Sequence, residues 1–118
     1  MAGYRIARAA RRDIESIQAE SDLTWGAEAG RRYAALLMEA IRRVTSDPDG
    51  RSTRDRSDLR SGLRSFHLRH VRREGRAAVK KPVHLLVYRQ IGPDLIEVVR
   101  ILHERMDPAR HLPLSTDD

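Results

Sequence analysis

Five histidines and twenty-three Lys/Arg residues carry most of the chemistry open to this 118-residue chain. His67 and His70 stand in an H-x-x-H spacing. On a strand, positions i and i+3 face opposite sides, and neither a Cys nor a third clustered ligand accompanies them, so the pair falls short of a zinc site. His84 and His103 lie in segments that read as strands, where a histidine more often serves the structure than a reaction. No nucleophile motif, glycine-rich phosphate loop or paired-carboxylate motif is present. With no cysteine there are no disulfides, no thiol catalysis and no Cys-zinc site. No metal or cofactor is therefore expected.

The cations are unevenly placed. Residues 51–81 hold eleven Lys/Arg against three acids, a local net charge of +8, whereas the whole chain carries +6. The rest is thus slightly acidic. The basic window reads either as a surface for nucleic acid or an acidic protein, or as a solvated loop and hairpin. One Trp, three Tyr and one Phe are too few for a base-stacking platform.

These residues need a scaffold, and the chain is long enough for a single small one. Apolar residues make up 40% and charged residues 34%, and the apolar ones are patterned, which disorder would not be. We expect one domain over residues 1–114 and a loose tail over 115–118. No stretch approaches the ~20 apolar residues of a membrane span, and the N-terminus lacks a signal-like apolar run. The expectation is a cytoplasmic protein with no membrane partner.

Alternation over residues 3–9 predicts a first strand. Ala10, Ile14, Ile17 and Ser21 then recur at helical spacing, predicting a first helix over 10–21, with a break at 22–26. A broad apolar stripe (Ala29, Tyr33, Leu36, Leu37, Ala40, Ile41, Val44) predicts a second helix over 27–46, stopped by Asp47-Pro48-Asp49-Gly50. A polar connection over 51–62 leads to strands over 63–71, 83–91 and 95–102, with a basic loop at 72–81 and a turn at 91–94. The last strand is almost continuously apolar, as expected of one covered on both faces. Asp107 as N-cap and Pro108 at the first helical position predict a final helical turn. The order strand, helix, helix, three strands predicts an α+β two-layer sandwich. In it the N-terminal strand and a helical hairpin pack on a small antiparallel sheet. Its core should comprise Ile14, Ile17, Tyr33, Leu37, Ile41, Phe66, Leu86, Val98 and Ile101.

Several pieces of the second half form a pattern: Leu63-Arg64-Ser65-Phe66, His84 with Tyr88-Arg89, then Arg100-Ile101-Leu102-His103, Met106-Asp107 and Arg110-His111-Leu112. Together with Tyr4, Asp13, Ile17 and the helix around Tyr33, this pattern resembles the ParE-type toxins of bacterial type II toxin–antitoxin systems, within the RelE/ParE superfamily. The resemblance spans nearly the whole domain and implies the same helical hairpin on a small sheet.

The resemblance implies a toxin that inhibits DNA gyrase and is neutralised by a cognate ParD-like antitoxin wrapping its C-terminal segment around the toxin, with direct nucleic-acid contact possible through the basic window. Such a protein is a protein-directed inhibitor, not an enzyme. The alternatives are a RelE-like ribosome-dependent mRNA endoribonuclease and a non-toxic binding module of the same fold. RelE-like enzymes commonly carry a Tyr near the C-terminus, but nothing after Tyr88 is Tyr, which favours the ParE-like reading; His103 would be the first candidate for acid or base in the other. The target-binding surface is expected to comprise Arg64, Arg100, His103, Arg105, Asp107 and Arg110. Arg64 and Arg100 stand on predicted strands that could be neighbours, so that their forked cations converge on carboxylate or phosphate. The plainer alternative is that Arg100 pairs with Asp107 or Glu97 and His103 caps the last helical turn.

Overall fold

Whether an alternating segment becomes strand or helix depends on where its backbone groups find partners. In the computed structural model, which describes residues 2–73 and 75–112, strand β1 (Gly3–Ile6) ends three residues earlier than its pattern suggests. Gly3 N–H donates to Asp94 O at 2.7 Å and Ala7 N–H donates to Val98 O at 3.0 Å. Beyond that bond, Arg8, Ala9 and Ala10 are good helix formers, and α1 (Arg8–Trp25) starts at once, with fully buried Ala10 against the core. The predicted break at 22–26 shrinks to one residue. Asp22, Leu23 and Thr24 stay helical, and only Gly26, at φ +90°, stops the helix, a conformation that a Cβ would strain. Helix α2 (Ala27–Ser46) follows directly and matches its predicted span.

Residues 51–62, expected to be all connection, contain a two-residue strand β2 (Arg54–Asp55) paired with β3 (Leu63–His67). β3 stops at His67, not Val71. The His67 Nδ1 accepts from Arg69 N at 3.0 Å, and this cap turns Leu68–His70 into a 3-10 turn. Then come β4 (His84–Gly92), β5 (Leu95–His103) and α3 (Pro108–His111). Asp107 caps α3 as its sequence suggests, accepting from Ala109 N at 3.1 Å. The expected tail at 115–118 and the domain limit at 114 lie outside the described residues.

The sheet order is β1-β5-β4-β3-β2, with β1 parallel to β5 and all other pairs antiparallel. The meander is thus as predicted, and the N-terminal strand closes its far edge in parallel. This is the α+β sandwich expected from the element order.

Helix α2 supplies Leu36, Leu37, Ala40, Ile41 and Val44 to a core completed by Phe66, Leu68, Leu86, Tyr88, Ile96, Val98 and Ile101. Of the nine expected core residues, Ile14, Ile17 and Tyr33 are only partly buried. Two belong to α1, which buries Ala10 alone, and Tyr33 turns its hydroxyl towards His84. The opposite face of the sheet is not bare. Leu63, Val87, Val99 and Leu102 form a second cluster under Leu59, Leu85 and Leu112, so β5 is covered on both sides as its apolar run predicts.

Beside that cluster, Glu97 is 4% exposed yet ionic. Arg5 and Arg89 stand directly opposite it on the two flanking strands. Their guanidinium groups reach its carboxylate at 2.9 and 2.8 Å. A buried carboxylate is tolerated when charged hydrogen bonds saturate it, and here the register of three strands provides them.

Candidate functional site

The C-terminal motif occupies the end of β5, the turn after it and α3. Arg100 is its best-anchored member. A one-residue irregularity in the β4–β5 register, with Val87 opposite Arg100 and Tyr88 opposite Val98, re-aims the strand next to α1. The Arg100 guanidinium then meets Asp13 of α1 in a two-pronged pair, Nε to Oδ2 at 2.7 Å and Nη2 to Oδ1 at 2.9 Å. Oδ2 also accepts the Ile101 N–H at 2.9 Å, and Arg100 Nη1 donates to the His111 carbonyl. One residue thus ties α1, β5 and α3 together. Neither Asp107 nor Glu97 is its partner: Asp107 caps α3, and Glu97 is taken by Arg5 and Arg89.

His103 shapes the turn rather than α3. Its Nδ1 accepts from Arg105 N at 3.1 Å and its carbonyl from Met106 N at 2.9 Å, so the ring proton sits on Nε2. The His103 ring meets His84 edge-on, centroids 5.5 Å apart. His84 Nδ1 lies 2.6 Å from the Tyr33 hydroxyl, whose oxygen also accepts the Val83 N–H at 3.2 Å. Both contacts are satisfied when the hydroxyl donates to Nδ1. Burial, then the neighbouring His103 and His67, push the His84 pKa down to about 4, so this imidazole is neutral at pH 7. Burial pushes the Tyr33 hydroxyl upward. His67 Nε2 donates to Glu104 at 2.7 Å, and this bond holds the Glu104 carboxyl below its usual range.

His84 and His103 border a cleft of about 420 Å³ between α1 and the end of the sheet. Its walls are Asp13, Ser16, Ile17 and Glu20 from α1, and His84, Ile101, His103, Arg105 and Met106 from the sheet and following turn. Met106 is 43% exposed at its mouth. Arg105 and Asp107 are exposed, and Arg110 makes only a loose 3.7 Å pair with Asp107.

Arg64 does not join this group. β4 lies between β3 and β5, so the strands of Arg64 and Arg100 are not neighbours and the two cations do not converge. Arg64 instead holds the loop after α2, donating to Thr53 Oγ1 at 2.7 Å with Asp49 3.5 Å away. Nearby, the buried Tyr88 hydroxyl donates to Pro48 O at 2.5 Å.

The motif's spacing points to His103, Arg105 and Met106, which the fold brings together. It does not point to Ser16, Glu20 or the Asp13 partnership, because α1 reaches the site only through tertiary packing. A polar residue facing the sheet side of an amphipathic helix, as Asp13 does one residue before Ile14, is the available signal. A second cleft of about 620 Å³ lies elsewhere, between the C-terminal end of α2 and the chain around β2 and β3. Among the described residues no group of three or more His, Asp or Glu gathers to hold a metal ion, and no helix is long and apolar enough to cross a membrane.

Residues 4–108 match the family described as ParE toxin of type II toxin-antitoxin system, parDE. The chain is 31% identical over 109 residues to Toxin ParE1 of Mycobacterium tuberculosis, covering 92% of this chain and 96% of that one. It is 31% identical over 112 residues to Toxin ParE1 of Caulobacter vibrioides, covering 95% and 99%. Among solved structures, a chain of the chromosomal ParDE TA system from P. aeruginosa superimposes with a TM-score of 0.64 at 14% identity, covering 87% of this chain and 96% of that chain. At that identity the likeness speaks for the fold, and the family match with the two relatives speaks for descent: the chain belongs to the ParE toxin family.

Proposed function

We propose that this ParE-family toxin inhibits DNA gyrase through the C-terminal cleft and its rim, and that a ParD-like antitoxin neutralises it. The observation that carries the reading is the way the Arg100–Asp13 pair stiffens the cleft while leaving Met106, Arg105, Asp107 and Arg110 outward. An exposed apolar residue ringed by charges on a rigid support is the usual make-up of a protein-binding hot spot. His103, Arg105, Asp107 and Arg110 are the contacting residues, and Arg100 positions them. Arg64, on the far side of β4, belongs to this surface only if the target is large enough to reach both. The two imidazoles favour binding over RNA cleavage: Nδ1 of His84 is occupied by Tyr33 and Nδ1 of His103 by the Arg105 N–H.

The antitoxin segment is expected to cover the outer face of the helical hairpin and continue along a sheet edge. Supporting this, Leu23 is 89% and Trp25 75% exposed at the hairpin tip, and Tyr4 on the edge strand β1 and Leu95 at the start of the neighbouring β5 are exposed. Such surfaces suit an amphipathic helix followed by an added strand.

The test is supercoiling by purified gyrase with parent, Arg105→Ala and Met106→Ala proteins, alongside mRNA integrity on ribosomes. Inhibition by the parent, weakened in the two variants, is expected. Uninhibited gyrase with cleaved mRNA would transfer the protein to the endoribonuclease reading.

A further inference from the structure

The basic window is not used by the C-terminal cleft, and the fold gathers part of it elsewhere. Arg42 and Arg43 from the last turns of α2 meet Arg51 and Arg72 around the larger cleft of about 620 Å³. Two acids, Glu39 and Asp47, share the lining. Glu39 reaches Arg42 only at 4.0 Å, and Arg43 spends one nitrogen on the His70 carbonyl at 3.1 Å. Arg51 and Arg72 are exposed and make no ion pair among the described residues.

We propose that this arginine cleft binds the phosphate backbone of duplex nucleic acid. Guanidinium forks on fixed elements hold phosphate oxygens two at a time. Four of them, Arg42 and Arg43 from α2 with Arg51 and Arg72 from two connecting segments, suit a run of phosphates better than one isolated anion. An acidic peptide is the competing occupant, but it would need apolar anchors, and the apolar floor residues Val44, Phe66 and Val71 are 1%, 2% and 7% exposed. With no aromatic face on offer, the contact reads the backbone and not the bases. This inference stands apart from the gyrase reading, since it concerns another face and is measured without gyrase or antitoxin.

The experiment is fluorescence anisotropy of the full chain with a labelled 20-base-pair duplex of random sequence, as DNA and as RNA, over stepped salt. Four phosphate contacts give a slope of log affinity on log salt of roughly −3.6, a loss on the order of 10²-fold between 50 and 200 mM. Arg51→Gln/Arg72→Gln, which disturbs no side-chain bond among the described residues, should lower that slope by about 2. Arg8→Gln/Arg11→Gln on α1 removes the same charge elsewhere and should leave the slope near the parent's. Binding of either duplex with this pattern supports the proposal. Absence of binding at 50 mM salt, equal losses in the two double variants, or displacement by polyglutamate as efficient as by unlabelled duplex would overturn it.

Discussion

Helices α1 and α2 are joined by one residue, yet they hold to the sheet by different physics. α2 buries six residues, including Leu36, Leu37, Ile41 and Val44. α1 buries only Ala10 and lays the partly buried Ile14 and Ile17 on the same core. What α1 lacks in apolar contact is offset by a polar fastening, Asp13 with Arg100 and the Ile101 N–H. The two helices divide the labour. α2 makes the domain stable, and α1, fixed at one directional point, forms a wall of the cleft whose shape depends on that point.

The largest loss is expected on the α2 side. Leu37→Ala should cost about 2–5 kcal/mol, read by urea unfolding; a change well under 1 kcal/mol would mean that α2 is not the core helix. Asp13→Ala comes next, at about 2–3 kcal/mol, because it strips a charged partner from Arg100 and leaves the Ile101 N–H unsatisfied. It should also weaken target binding, whereas a core variant of equal instability should bind normally once folded at lower temperature.

Another effect is set by pH. His84 is neutral and held to about 4 in the folded chain but titrates near 6.5 when unfolded. The unfolded state binds the extra proton first, so the stability from this group is complete above about pH 6.5 and is lost as pH falls towards 4. His84→Gln should flatten this limb in unfolding curves taken at pH 7, 5.5 and 4.5. Ile17→Ala, on the half-buried face of α1, should cost about 1–2 kcal/mol, below the fully buried range, in the same urea assay. Leu23→Ala, at the open hairpin tip, should change stability by less than about 0.5 kcal/mol. Yet it should weaken capture of a ParD-like antitoxin by titration calorimetry; unchanged capture would move the antitoxin off the tip.

Local signals in the chain were enough for α2, the meander, the α3 cap and the apolar strand β5, because each rests on periodicity or on residues a few positions apart. The resemblance to ParE-type toxins was likewise legible in linear pieces such as Arg100-Ile101-Leu102-His103. Where α1 ends was not, since nothing between Asp22 and Trp25 forces a stop and only the backbone of Gly26 makes one. The short strand β2 was hidden too, as two exposed residues carry no alternation and pair only because β3 lies beside them. Partnerships across long separations were decided by the tertiary structure alone. Arg100 could pair with any of several acids, and the choice of Asp13, 87 positions away, follows from where α1 packs. Glu97 finds Arg5 and Arg89 because strand register sets them opposite each other. The separation of Arg64 from Arg100 follows from strand order, which periodicity does not encode. A charge pattern tells which groups are available, and only the packed chain brings particular ones within the few ångströms at which they interact.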